Sequence, residues 1–279
     1  MRAVVSTPGG ERWAELRDIP RPEPGPDELL VEVRAAGINR GELALVQMRE
    51  DFRPGQEVAG VVAAGPRQGE RVVGLADWHG WAEYAAVPEH RVVPLPDAID
   101  FATAAALPMA GATALNLVRL AGDVLGRNVL VTGASGGVGT IAVQLARLAG
   151  ANVTGVSAVT EDAPDGQHVI LESVGGTSLE QALAKAAPGG LILVFGNSSR
   201  ERSSIDFRDY AGRDAVRIRS FFSAHYEERA ADNLRTLLAL VEAGRLEVTV
   251  GLATPLDDVN DALDALAARK VRGKAILTA

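Results

Sequence analysis

One stretch constrains the fold of this chain more than any other: Asn128-Val129-Leu130-Val131-Thr132-Gly133-Ala134-Ser135-Gly136-Gly137-Val138-Gly139-Thr140. An apolar, β-branched run breaks at a glycine-rich turn, and apolar residues then resume at helical spacing to residue 149. That order reads as a buried parallel strand whose end meets a helix N-terminus. Small residues let the backbone approach a pyrophosphate, and free N–H groups with the helix dipole favour its charge. The turn alone is a weak signal, since Ala134 replaces the first fingerprint glycine. Its plain reading is a tight strand-to-helix connection with no ligand.

The rest of the chain falls into two patterns. Up to about residue 96 it is β-rich, with short strands expected at 3–6, 29–35, 58–64, 71–75, 82–87 and 91–94. Turn residues at 20–26, 65–66 and 94–96 punctuate them, so a small barrel or curled sheet is expected. Residues 100–120 are alanine-rich and helical, broken by Pro108. From about residue 127, apolar strands (129–132, 152–156, 169–171, 191–195) alternate with helices (140–149, 179–187). This is the rhythm of a doubly wound α/β domain. A longer amphipathic helix follows at 230–243, and the tail reads strand (247–250), helix (256–268), strand (274–277).

Charge and composition narrow the partners. The 36 acidic and 28 basic side chains leave a net charge of -8, which argues against nucleic acid or an acidic membrane as a main partner. With no cysteine, disulfides and thiolate metal sites are excluded and a cytoplasmic location is expected. No run approaches the length of a membrane span, and residues 1–10 lack the apolar core of a signal peptide.

Several separated motifs then carry a family resemblance. They are 35–42 (Ala-Ala-Gly-Ile-Asn-Arg-Gly-Glu), 54–60 (Pro-Gly-Gln-Glu-Val-Ala-Gly), 105–108 with 111–114, the glycine turn, 172–176, 188–190 and 271–274. In this order they resemble the zinc-independent medium-chain dehydrogenases/reductases of the quinone oxidoreductase type. The resemblance implies a GroES-like domain from residues 1–112 and 248–279, and a Rossmann dinucleotide-binding domain from 113–247. It implies hydride transfer from NAD(P)H to a quinone or an α,β-unsaturated carbonyl in a cleft between the domains. It also implies a homodimer joined by edge strands at 217–222. Zinc members of the superfamily carry cysteine where Asn39 stands and histidine where Gln56 stands, so no metal is expected.

The same resemblance supplies candidate residues. Asn39 would lie beside the nicotinamide and hold the ring or the substrate carbonyl; its plain reading is a loop amide satisfied by local backbone. Cofactor contacts are expected from Thr113, Ala134, Ser135, Gly136, Gly137, Val138, Ser157, Ser173, Val174, Phe195, Gly196, Asn197, Phe221 and Phe222. The two phenylalanines read equally as packing. Arg272 and Lys274 would approach the cofactor phosphates, although paired basic residues are more often a solvated surface. His79, in Trp78-His79-Gly80-Trp81, is the remaining catalytic candidate, against a surface or packing role. No side chain stands out as an obligatory proton donor, and water can protonate an enolate.

One departure limits these expectations. After the strand at 152–156, the strand at 169–171 begins almost at once, whereas a nucleotide-binding unit takes about 30 residues. A helix and a strand look deleted, so the sheet should be truncated after its second strand. The connector 64–70 looks trimmed as well. NAD or NADP preference should be readable near Ser157 and Ala158, yet no lysine or arginine stands between Arg147 and Lys185, while Glu161, Asp162 and Asp165 follow the strand. Two rival functions remain: a reductase-like fold with weak or lost cofactor binding, used for non-redox catalysis or ligand binding, and a serine hydrolase. The hydrolase would use Ser135 in a G-x-S-x-G turn, with Asp206 or Asp209 and His225.

Overall fold

A computed structural model describes the backbone of residues 1–279 and every side chain except those of Phe207, Ala224, Tyr226 and Glu227. Along the chain come β1 (Arg2–Ser6), β2 (Ala14–Asp18), β3 (Glu28–Ile38), α1 (Arg40–Met48), β4 (Glu57–Val62), β5 (Arg71–Leu75), β6 (Tyr84–Pro88), β7 (Val92–Pro94) and α2 (Phe101–Ala105). A π-helical turn, Leu107–Gly111, joins α2 to α3 (Ala112–Ala121), which is how the helical stretch accommodates Pro108. Then follow β8 (Asn128–Val131), α4 (Gly137–Leu148), β9 (Asn152–Gly155), β10 (Gln167–Glu172), α5 (Thr177–Lys185), β11 (Ala186–Val194) and β12 (Arg217–Ser220). Last come α6 (Ala230–Glu242), β13 (Val250–Pro255), α7 (Val259–Ala267) and β14 (Lys274–Thr278). No described helix is long and apolar enough to cross a membrane.

These elements form two compact units, Met1–Ala112 with Tyr226–Ala279, and Thr113–His225. The first differs from the sequence expectation in its extent and in its elements: β2 and α1 are additional, and the strand expected at 247–250 is β13, at Val250–Pro255. Residues 226–247, assigned to the nucleotide domain, belong to the first unit, where α6 lays Leu237 beside Gly111 and Leu107 of the π-helical turn. The sheet of this unit runs β13-β14-β3-β4-β5-β7, with β6 also paired to β3. One long strand thus has three partners. A register shift between Val33 and Ala35 bends β3, so that residues 28–32 meet β6 and residues 35–38 meet β14. The curl encloses a core that includes Val31, Val58, Trp81, Leu263 and Leu277, each about fully buried.

The second unit holds a five-stranded, fully parallel sheet in the order β12-β11-β10-β8-β9. A full nucleotide-binding sheet places a third strand outside the second, in the order 3-2-1-4-5-6. Here β9 is itself the edge, and residues 156–166 lead to β10 with neither helix nor strand. That connection is pinned rather than loose. Val159 and Ala163 pack with Leu130, Ile170, Ala182 and Ile192. The Val159 N–H donates to Ser178 Oγ at 3.0 Å, and Lys185 Nζ donates to the Glu161 carbonyl at 2.6 Å and pairs with Asp165 at 3.1 Å.

Candidate functional site

In the first unit, Asn39 ends β3 and begins α1, and its environment is the least expected feature of the molecule. Lys274, at the start of β14, sends its ammonium inward to Glu57 Oε2 (2.5 Å), Asn39 Oδ1 (2.7 Å) and the Ile38 carbonyl (3.2 Å). Three donors meet three acceptors, so the lysine is satisfied and 4% exposed. Lys274 thus spends its ammonium inside this network, whereas the terminal motif led to the expectation of a phosphate contact. Asn39 Nδ2 donates to Glu57 Oε2 at 2.8 Å, while Glu57 Oε1 accepts the backbone N–H groups of Met109 (2.6 Å) and Ala110 (3.3 Å). Gly37 makes room for this carboxylate, because a Cβ there would stand 2.1 Å from Glu57 Oε2.

The network fixes which way the Asn39 amide faces. Lysine can only donate and an ionised glutamate can only accept, so oxygen must face Lys274 and nitrogen Glu57. One N–H of the half-buried amide is left over.

Glu42, on the first turn of α1, is a second buried carboxylate. It accepts from Asn39 N at 2.7 Å and from Gly55 N at 3.0 Å, tying the start of α1 to the loop before β4. Burial pushes its pKa up to about 7, and the charge of Glu57 pushes the same way. The Asn39 and Gly55 N–H groups and Lys274 oppose the rise. Neither Glu42 nor Glu57 was among the sequence candidates, although an Asn followed three residues later by Glu is a helix-start signature.

In the second unit the remaining candidates gather at the carboxyl ends of the strands. The glycine turn closes on β9: Gly133 N donates to Ser157 O and Ala134 N to Val156 O, both at 3.1 Å. Gly133 adopts φ +58°, and a Cβ on Gly139 would stand 2.1 Å from Gly133 O, so only glycine lets α4 start this close to the turn. Gly136 N is spent on Gly133 O at 2.9 Å. The next N–H groups, those of Gly137 and Val138, open the helix and have no intrahelical acceptor. Around a Cβ placed on Gly136, the sole described neighbour within 4 Å, chain neighbours aside, is Gly133 O, at 3.3 Å. No described side chain crowds Gly136 at this helix end.

The neighbouring loops are built from the same edge. Thr132 Oγ1 bonds Ser173 Oγ (3.2 Å) and Ser173 N (2.8 Å), which fastens β8 to β10. Buried Glu172 accepts from Val174 N and Gly175 N at 3.0 Å and from Ser178 Oγ at 2.9 Å. Ser198 N and Ser199 N donate to Ser173 O and Val174 O, laying the Gly196–Asn197 loop over residues 173–175. Phe221 is buried where its N–H meets Val194 O, and Phe222 is 64% exposed. The chain leaves β8 outward to β9 and returns past it to β10, so this edge is a switch point, where open α/β sheets bind ligands.

Other candidates stand apart. Thr113 is buried within α3, and Arg272 is exposed in the first unit. His79 is exposed in the loop after β5 and adopts φ +71°. The hydrolase set is not assembled: Asp206 is engaged with Arg208, and Asp209 with Asp206 N. Among the described residues no histidine bonds Ser135.

Comparison with known proteins agrees with this architecture. The alcohol dehydrogenase GroES-like domain model matches residues 25–97, and the zinc-binding dehydrogenase model matches residues 148–277. Human quinone oxidoreductase is 30% identical over 306 aligned positions, covering 94% of this chain and 92% of the relative. Mouse prostaglandin reductase-3 is 30% identical over 318 positions, covering 94% and 84%. Both alignments are longer than the 279 residues of this chain, so the relatives carry segments that it lacks. Among solved structures, mycobacterial Rv1454c complexed with NADPH superposes with a TM-score of 0.86 at 27% identity, over 100% of both chains. From its two-unit architecture, its cysteine-free sequence and these relatives, the chain belongs to the zinc-independent quinone oxidoreductase type of the medium-chain dehydrogenases/reductases.

Proposed function

We propose that this chain is a cytoplasmic NAD(P)H-dependent reductase of quinones or other conjugated carbonyls. The observation that carries the reading is the helix end at Gly136–Val138, uncrowded at Gly136 and placed at the switch point of the parallel sheet. A pyrophosphate fits there, held by the Gly137 and Val138 N–H groups, with Ala134 and Ser135 in the turn before them. Ser157 offers a hydroxyl at the tip of β9, and Ser173, Val174, Phe195, Gly196, Asn197, Phe221 and Phe222 provide the walls. When bound, the reduced nicotinamide supplies the hydride. The protein supplies position and one aimed donor. As charge grows on the acceptor oxygen, the unspent N–H of Asn39 stabilises it, and its lysine and glutamate partners spare it any reorientation. Water then protonates the resulting enolate or hydroquinone anion.

Calorimetric titration with NADH and with NADPH tests the first half of this reading, and steady-state reduction of 1,4-naphthoquinone tests the second. Saturable binding of at least one nucleotide is expected. Asn39→Ala should lower kcat by about tenfold to a hundredfold, with nucleotide affinity changed far less. If neither nucleotide binds, the shortened unit has lost its cofactor and the redox reading fails.

We also propose a homodimer through β12. All four of its residues are exposed on a sheet edge, with Ile218 at 36% and Phe222, just beyond, at 64%. An unpaired, partly apolar edge is a ready template for a second copy. Sedimentation velocity should give a dimer, and the variant Ile218→Glu/Phe222→Glu a monomer. A monomeric wild-type protein would overturn this.

A further inference from the structure

Arg53 is an unusual arginine. Its Nε is buried with no acceptor, and among the described residues no carboxylate pairs with its guanidinium. The other half-buried arginines of the first unit each have an ion-pair partner, although Arg91 shares the unpartnered Nε. Arg67 pairs with Glu70 and Glu89, Arg71 with Asp97 and the carbonyls of Pro96 and Ile99, and Arg91 with Asp77. Burial pulls the Arg53 guanidinium below the ordinary arginine range, with no neighbouring acid to reverse the shift. A half-buried guanidinium with no ion pair among the described residues carries a desolvation cost that no carboxylate offsets.

The backbone around Arg53 is rigidly built. Arg53 O accepts from His79 N (3.3 Å), Pro54 O from Trp81 N (3.2 Å) and Gly55 O from Gly80 N (2.9 Å), which stitches two loops together. Phe52 and Trp78 add an edge-to-face contact at 5.1 Å. Glycine is required on both strands of the stitch, since a Cβ on Gly55 would stand 2.3 Å from Trp81 N and one on Gly80 would stand 2.6 Å from Val58 Cγ1. The platform is joined to the Asn39 site by Glu42, whose two oxygens hold Gly55 N and Asn39 N. Beside Arg53, through the bond of its N–H to Arg53 O, stands His79, held at φ +71° without the glycine that such a backbone favours. Partial desolvation of the otherwise exposed ring, and then the charge of Arg53, lower the His79 pKa against the pull of Asp77, which leaves a neutral imidazole at neutral pH.

We propose that Arg53 and His79 form an anion-recognition pair that selects acceptors carrying a carboxylate or sulfonate group. An arginine fork with a neutral imidazole beside it offers directed donors to such a group and discriminates against an uncharged acceptor. The inference rests on the reductase reading given above for its substrate class, and on this loop pair alone for its charge.

The test compares kcat/KM for 1,4-naphthoquinone-2-sulfonate and for unsubstituted 1,4-naphthoquinone, at low ionic strength, in the wild type, Arg53→Met and Arg53→Lys. Taking the ratio between the two acceptors cancels their intrinsic reactivities when proteins are compared. In Arg53→Met the sulfonate-to-parent ratio should fall by about tenfold or more, and in Arg53→Lys by less. An unchanged ratio in Arg53→Met overturns the proposal. If neither quinone is reduced, the reductase reading falls and the pair is judged by calorimetric binding of the sulfonate. Binding to the wild type that is lost in Arg53→Met upholds it; equal binding, or none, overturns it.

Discussion

Replacing Lys274 by Met should remove about 3–5 kcal/mol of stability from the first unit, a loss far beyond that of an ordinary surface lysine. Glu57 is fully buried and keeps three donors without the lysine: Met109 N, Ala110 N and Asn39 Nδ2. What it loses is its only charge partner among the described residues, and a carboxylate stranded in the interior is the costly outcome. Removing the charge on both sides should therefore help: Glu57→Gln/Lys274→Met should be more stable than Lys274→Met by about 2 kcal/mol. The measurement is convenient because Trp13, Trp78 and Trp81, the three tryptophans of the chain, all lie in this unit. Urea unfolding followed by tryptophan emission reports on it directly. A single variant within 1 kcal/mol of wild type would show the pair to be dispensable.

That network also marks where sequence reasoning stopped. The glycine turn was legible because each of its residues answers a local demand: Gly133 takes a positive φ, Gly139 permits the close approach of α4, and the preceding run is buried on both sides. The missing strand was legible too, since only eleven residues, 156–166, separate β9 from β10 and no right-handed crossover helix fits in them. The pairing of Lys274 with Glu57 was not. Their partners are 217 residues apart in the chain, and nothing in a Gly-Lys dipeptide near the end of a sequence distinguishes an inward lysine from a phosphate ligand. Helix α1 escaped for a different reason. Gly41 and a length of nine residues weaken its periodic signal, and its start depends on Asn39 and Glu42, whose pattern also fits a loop motif. The placement of α6 in the first unit likewise depends on packing against Gly111 and Leu107, which no periodicity records.

The two units differ in how they treat charge. The second unit meets its buried carboxylate, Glu172, with backbone N–H groups and Ser178 alone, a neutral cradle that braces the loop after β10. The first unit assembles Glu42, Glu57 and Lys274 within hydrogen-bonding reach of Asn39 or of one another. A neutral cradle suffices to hold a loop. Fixing an amide so that its free N–H faces one way needs a partner that can only donate and another that can only accept, and that combination is a lysine with a carboxylate.

The excess carboxylate in that assembly should make the first unit lose stability as pH rises through the acid-to-neutral range. Glu42 has an ordinary value of 4.5 and a folded value of about 7. Below the lower value it is protonated in both states and its burial is unpenalised. Between the two, the unfolded chain releases a proton that the folded chain retains, so stability falls with rising pH until the folded group has ionised as well. The span corresponds to a loss of about 3 kcal/mol at most. Glu42→Gln cannot ionise, and it presents an amide N–H to one of the two backbone donors, Asn39 N or Gly55 N, that the carboxylate accepts. The variant should therefore be less stable than wild type near pH 5, and the gap should close steadily towards pH 8. Other titrating groups are common to both proteins and cancel in the difference. Urea denaturation by tryptophan emission across that range decides the matter, and a gap independent of pH would mean that Glu42 is ionised throughout, with Lys274 and the two N–H groups outweighing its burial.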